Sequence, residues 1–315
     1  MSEQNKPWLS VEQQIDRLAT RGIKFELYSR EEAARYLAEN NNYFRLKAYR
    51  KCFDRVQGGE NDGCFVNLDF GMLVDLSVID MYLRSELLLL AIDIEHFSKM
   101  RLLNELERVG EDGYSVVADF IDDPRNLSVD GRHNYVRAEI DRGKSSPYVR
   151  NLLGTYPSFD FPAWAFLEVI PFGRLVHFYR FVAERSGNKA MQNDSYLLQS
   201  VRVLRNACAH NNCIIDDMRR GVPAHAPQHS VSNALSRIGV SKGTRRIKLS
   251  NERFQGISTT LFVHSSLVPS TMLVRRGEEL RHIIARTKKH ESYYRENDVV
   301  RTGFAFIEAM VRGWY

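Results

Sequence analysis

Leu73, Leu76, Ile79, Leu83, Leu87, Leu90, Ile94, Phe97 and Leu102 recur at nearly every third or fourth position between Asp69 and Glu107. That period is helical, and its length predicts one long helix or a kinked pair. Asp75, Asp80 and Arg84 fall between the apolar positions and are expected on its solvent face. Val11, Ile15 and Leu18 repeat in the same way behind Ser10, a capping residue, and predict a helix from Ser10 to Arg21. Arg30 to Glu39 reads as a second helix, closed by Asn40, Asn41 and Asn42, and Phe44 to Phe53 as a third. Gln57 to Gly63 is loop by composition.

The middle of the chain, residues 110–160, is broken at Pro124, Gly131, Pro147 and Pro157. Pro162 suits the first turn of a helix through Trp164, Leu167 and Glu168. Gly173 to Ala183 and Ser195 to Asn211 continue helically. Met218 to Ser250 carries Gly221, Pro223, Pro227, Gly239 and Gly243, so loop with one short helix is expected there. Lys248 to Val263 reads as a hairpin, and Glu278 to Lys289 and Thr302 to Trp314 as closing helices. The expectation is an all-α protein: a helical bundle with an N-terminal helical extension and a loop-rich, basic C-terminal region. Residues 1–68 would form a helical segment packed on a domain spanning 69–315, with its loop-rich insertion around 216–270.

Composition narrows the class. Hydrophobic residues make up 43% and charged residues 26% of 315, which excludes wholesale disorder and fibres. Four cysteines in this length argue against a disulfide framework and for a reducing cytosol. The greasiest run, Leu87 to Ile92, is bracketed by Arg84, Glu86, Asp93 and Glu95 and falls far short of the ~20 residues a membrane span needs. The polar start, up to Leu18, has no apolar signal core. A cytoplasmic protein without membrane contact is expected.

Charge is unevenly placed. The net +5 divides into −3 over residues 1–215 and +8 over residues 216–315. Arg245, Arg246 and Lys248 begin the basic end, followed by Arg275, Arg276, Arg281, Arg286, Lys288 and Lys289. Such a surface attracts a polyanion, though a solvated face without a partner is the simpler account of charge alone. In the N-terminal part Arg45 and Lys47, with Arg50, offer a second phosphate-binding face beside Tyr43, Phe44 and Tyr49. Those three aromatics suit core packing better than base stacking.

No P-loop, GxGxxG, HExxH or GxSxG motif is present. Cys208, Cys213, His225 and His229 are spaced much like a two-Cys, two-His zinc finger. Pro223 and Pro227 flank and interrupt the histidine segment, however, and Cys208 lies inside a helical run. No metal or cofactor is expected.

Ser200 to Ile215 is the informative stretch. Val201, Leu204 and Cys208 form an apolar stripe. Arg202, Asn206 and His210, at i, i+4 and i+8, make a neighbouring polar stripe. Arg205 and His210 are five apart, so about 140° separates them on a regular helix. One helix does not converge them; a bent helix end or a second copy facing it would, which hints at a site across a two-fold axis. Arginine binds phosphate bidentately and histidine titrates near neutrality, a pairing suited to RNA phosphate chemistry. Taken alone, a polar cluster on a helix face explains the same residues. Glu168 either pairs with Arg205 or His210 or is a surface carboxylate.

Arg205-Asn206-Ala207-Cys208-Ala209-His210 resembles the motif of HEPN ribonucleases, an arginine and a histidine separated by four residues. Lys6-Pro7-Trp8-Leu9 with Gln14 to Leu18 and Arg21-Gly22-Ile23 resembles the opening of Abi-like proteins of the AbiD/AbiF group, as does Asn42 to Tyr49. Asp80 to Leu103 is similar to their long central helix, with Leu83-Arg84 and Ile94-Glu95 in place. Pro162-Ala163-Trp164, Glu168 and Phe172-Gly173 match the segment before the motif, and Leu204 to Asn211 completes it. The C-terminal third matches only loosely.

The resemblance implies a HEPN-like all-helical bundle that acts in abortive infection, a bacterial defence against phage. It implies a homodimer with two Arg–His motifs in one cleft, cutting RNA without a metal to leave a 2′,3′-cyclic phosphate and a 5′-OH. Arg205, Asn206 and His210 would be catalytic, Glu168 and Arg202 supporting, and Arg45, Lys47, Arg245, Arg246 and Lys248 would bind RNA. A small noncoding RNA antitoxin is the implied partner besides the RNA substrate. The reading from another class is an RNA-binding scaffold that does not cleave.

Overall fold

The computed structural model describes residues 7–315, so Lys6 of the opening block lies outside the described residues. All the regular structure among them is helical. Fifteen α-helices follow one another, joined by three isolated bridges and no strand: Lys24 with Asp69, Arg55 with Phe65, and Leu127 with Asn134. The helices are α1 (Val11–Ala19), α2 (Arg30–Glu39), α3 (Tyr43–Leu46), α4 (Phe70–Val109), α5 (Ser115–Ile121), α6 (Tyr135–Gly143), α7 (Arg150–Thr155) and α8 (Ala163–Val169). Then come α9 (Phe172–Arg185), α10 (Lys189–Ala209), α11 (His229–Arg237), α12 (Lys242–Lys248), α13 (Glu252–Leu267), α14 (Ser270–Lys288) and α15 (Asp298–Trp314). After α3 a 3₁₀ stretch, Lys47–Cys52, carries the chain onward.

Local chemistry sets the early ends. Ser10 and Ser29 each accept the N–H three residues on, while Gln13 and Glu32 reach back to the cap backbone. Asp69 starts α4: its Oδ1 accepts the Gly71 N–H at 2.7 Å and its Oδ2 that of Glu26 at 2.7 Å. Leu27 packs so closely there that a Cβ on residue 71 would sit 2.7 Å from the Leu27 Cβ, which is why glycine follows Phe70.

The chain gathers into two compact units. The first holds the described residues up to Leu88, together with Leu204–Phe262 and Ser270–Tyr315. Its core draws Phe70, Leu73, Leu76, Ile79 and Leu83 from α4, all almost fully buried, with Phe254, Ile257 and Leu261 from α13 and Phe306 and Met310 from α15. Each such side chain contributes roughly 1.5–3 kcal/mol over leaving it in water. Phe254 meets Phe306 edge-on at 5.5 Å, and Trp314 rests 5.9 Å from Phe262, docking the last helix.

The second unit holds Leu89–Val203 and Val263–Pro269. An aromatic cluster centres it: Phe178 lies 4.9 Å from Phe120 and 5.1 Å from Phe166 between ring centroids.

Two expectations are corrected. Asp75, Asp80 and Arg84 are not on a solvent face; they are buried at 3%, 0% and 6% exposure. Helix α4 is enclosed around most of its circumference here, and its charges survive because partners from far along the chain or one turn along the helix neutralise them. Asp75 accepts from Arg286 at 2.6 Å, His290 at 2.9 Å and Tyr294 at 2.7 Å. Asp80 takes Arg84.

The second correction concerns the C-terminal third. The longest loop is the stretch before α11, with only short connections between the helices from α11 to α14, and the segment read as a hairpin is α13. Ile257, Thr259, Thr260, Phe262 and Val263 gave it a strand-like composition. The helix is buried on most sides, Ser258, Thr259 and Thr260 included, so it lacks the polar face that marks a helix in sequence.

Candidate functional site

Helix α10 runs regularly to its end. The His210 N–H still bonds the Asn206 carbonyl at 2.9 Å. Then Asn211 turns to φ 58, the left-handed region that asparagine tolerates. The Asn212 N–H reaches the Ala207 carbonyl at 2.8 Å and the Asn211 N–H the Cys208 carbonyl at 3.0 Å. This pair of bonds is a Schellman close, with His210 as the last residue before the reversal. The helix end is not bent, so the roughly 140° between Arg205 and His210 stays as helical geometry sets it.

His210 is exposed and opens onto a groove of about 580 Å³. Asn42, Phe44, Arg45, Lys47, Arg50, Lys51 and Arg55 form one wall, and His210, Asn211, Asn212, Cys213 and Asp216 the other. Five cations thus face a single carboxylate. That carboxylate is already engaged, since Asp216 accepts Lys51 at 2.9 Å and Arg253 at 2.6 Å. Arg50 and Arg55 both lie over the buried Phe65 ring, at 5.3 and 4.9 Å, which holds the wall's far end.

The two walls are stapled together. The Cys52 thiol donates to the Asp216 carbonyl at 3.5 Å, and Arg219 bonds the Lys51 carbonyl at 2.7 Å and Asp54 at 2.8 Å. Behind them Asp80 accepts the backbone N–H groups of Ile214 at 2.8 Å and Ile215 at 3.0 Å. Burial pushes the Asp80 carboxyl up, against the pull of the Ile214 amide and the Arg84 guanidinium.

The remaining motif residues divide. Arg205 is half-buried; its Nη1 donates to Asn206 Oδ1 at 3.2 Å, and its Nε is buried without a hydrogen-bond partner. Asn206 therefore engages Arg205, not the His210 ring. Arg205 does not line the groove that His210 opens onto. Arg202 lies against Gly173, and its Nε is likewise buried and unpartnered. Glu168 is exposed and takes Lys99 at 3.3 Å, the surface-carboxylate alternative. Near Arg202, the His177 ring is held below its ordinary pKa, first by partial burial and then by Arg174 and Arg202.

Of the C-terminal cations, Arg246 is exposed and Arg245 turns back to donate to the Val240 carbonyl. Lys248 is corrected outright. It is 6% exposed, bonds Thr302 Oγ1 at 2.8 Å and lies 5.2 Å over Phe254. Burial lowers its pKa to about 8. It packs the core at the last position of α12, next to the buried Leu249, where Thr302 and Phe254 close over it. Of the cysteines of the zinc-like pattern, Cys208 is buried and Cys213 is half-buried in the groove wall; burial pushes the Cys208 thiol up to about 12 and raises that of Cys213 as well.

Lys51, Arg55, Asn211 and Asn212 were not among the expected site residues. The signal for Lys51 and Arg55 was the basic run continuing from Arg45 to Arg55; for the asparagines it was their place directly after His210.

The model of the Abi-like protein family matches residues 36–216. The chain belongs to the Abi-like family. The matched segment begins inside α2 and ends at Asp216, so it contains both walls of the groove. Arg245, Arg246 and Lys248 fall outside it. No curated protein and no solved structure matches the chain. No helix among the described residues is long and apolar enough to cross a membrane.

Proposed function

We propose that this Abi-like protein is a metal-independent endoribonuclease of abortive-infection defence, acting as a homodimer in the cytoplasm. One observation carries the reading: His210, the histidine of the Arg-x4-His motif, opens onto a groove walled by five cations. Such a groove attracts an RNA backbone, with affinity that falls as salt rises.

In this reading the 2′-oxygen of the substrate attacks the neighbouring phosphorus, and the P–O5′ bond breaks. His210 carries protons: one leaves the 2′-OH and one reaches the departing 5′-oxygen, giving a 2′,3′-cyclic phosphate and a 5′-OH. Arg205 of one copy or the other holds the phosphate and offsets the charge that builds on it. Because an unbent α10 keeps Arg205 and His210 apart, the site is composite, formed by two copies. A small noncoding antitoxin RNA would use the same groove.

The second reading is a non-cleaving RNA-binding scaffold. It is favoured by Arg205 lying off the groove lining and by Asn206 engaging Arg205 instead of the imidazole. Total RNA incubated in EDTA with wild type and His210→Ala separates the two. Cleavage that survives chelation and disappears in the variant supports the nuclease. RNA retained but left intact by wild type supports the scaffold.

A further inference from the structure

We infer that Phe44 is the stacking platform for one unpaired base beside His210, so that the groove takes single-stranded RNA ahead of duplex. The inference rests on the RNA reading above and adds the form of the substrate and the residue that selects it.

Phe44 is 76% exposed, whereas Leu46 and Tyr49 a few residues on are buried at 1% and 0%. The start of α3 enforces this. Asn42 Oδ1 accepts the Arg45 N–H at 2.9 Å and fixes the first turn, which turns Leu46 inward and Phe44 outward. The ring thus adds nothing to the core. Exposure alone is not the argument, since Trp8 and Tyr148 are more exposed still. Phe44 differs in where it stands: in the groove wall, with Arg45 and Lys47 beside it and His210 opposite. The Lys47 ammonium lies 4.9 Å from its centroid.

A phenyl ring among cations is the pairing by which proteins hold single strands: the cations track phosphates while the ring stacks a base. The groove's volume lies within the ~300–1,000 Å³ of ordinary ligand sites. The side-chain amides of Asn42, Asn211 and Asn212 on its walls offer both donors and acceptors, the complement of a base edge that has left its partner. A duplex keeps its bases stacked inside and offers the groove only phosphate, so it would use the cations and leave Phe44 idle.

The test uses the full chain and a 2′-O-methyl oligoribonucleotide, which resists this cleavage, as a single strand and annealed to its complement. Affinity is measured for wild type, Phe44→Leu and Phe44→Trp. Wild type is expected to prefer the single strand. Phe44→Leu should weaken single-strand binding about tenfold, Phe44→Trp should restore it, and duplex binding should be unchanged in all three. Equal wild-type affinity for both probes, or a Leu variant indistinguishable from wild type, overturns the inference and leaves the RNA reading standing. Retention of neither probe by wild type overturns both.

Discussion

Asp80 and Ile214 stand 134 positions apart in sequence, yet the Asp80 carboxylate holds the Ile214 backbone N–H at 2.8 Å. The contact anchors the wall that follows His210 to the long helix α4. It also explains a charge in the core, since the same carboxylate takes Arg84 and the Ile215 N–H.

Asp80→Ala should accordingly destabilise strongly, by about 3–5 kcal/mol, because it leaves Arg84 buried without its counter-charge. Asp80→Asn keeps an acceptor for the two amides and should cost less. Urea unfolding measures both. Faster hydrogen exchange at Ile214 and Ile215 than at the α15 amides would locate the damage.

His210→Ala should reduce RNA cleavage by roughly 100- to 10,000-fold, the span of a lost general acid–base group. The helix content should hold, because the imidazole is exposed and the Schellman close uses backbone alone. Gel analysis of the products and circular dichroism give the two readouts. Unchanged cleavage removes His210 from the mechanism.

The groove cations predict a salt signature. Replacing Arg45, Arg50 or Arg55 by Gln should each lower the slope of log affinity against log salt by about 0.7, the value for one phosphate contact on a single strand. A titration of RNA binding between low and moderate salt reads it. Arg246→Gln, outside the groove, should leave the slope unchanged.

Lys248 sets a pH dependence. Its folded pKa of about 8 lies below its ordinary 10.5, so below pH 8 both folded and unfolded chains hold the proton and the folded state bears the burial cost. Between those values the unfolded chain holds more protons, and stability should rise with pH by about 3 kcal/mol in all. Lys248→Met should be more stable than wild type near neutrality, with the gap closing toward pH 10.5. Denaturant midpoints across that range check it, and a gap that widens refutes it.

Much of the fold could be read directly. Ser10 and Pro162 marked helix starts within a residue or so, and the leucine period announced α4, whose forty residues run without a break. What failed was exposure. Period alone shows which residues of α4 are apolar; it cannot show that Asp75 and Asp80 are reached by Tyr294 and Ile214 from far along the chain. Lys248 failed for the same reason, since a basic run reads as solvated until the neighbouring helix is in place. In α13 propensity misled, because a helix buried on most sides carries no polar stripe to give it away. Of the candidate site, the sequence showed the Arg-x4-His motif and the basic residues Arg45 and Lys47. Their meeting with His210 was not legible, because it depends on the staples between Lys51, Cys52 and Asp216.

Those staples carry a consequence for how the molecule comes into being. Translation delivers Lys51 to the exit tunnel 165 residues ahead of the Asp216 that closes on it, and Arg253, which holds the other oxygen of Asp216, comes later still. A chain made only as far as Lys51 has one bank of the channel and no opposite shore. Whatever the groove grips, a ribosome must have passed Asp216 and Arg253 before the protein can grip it.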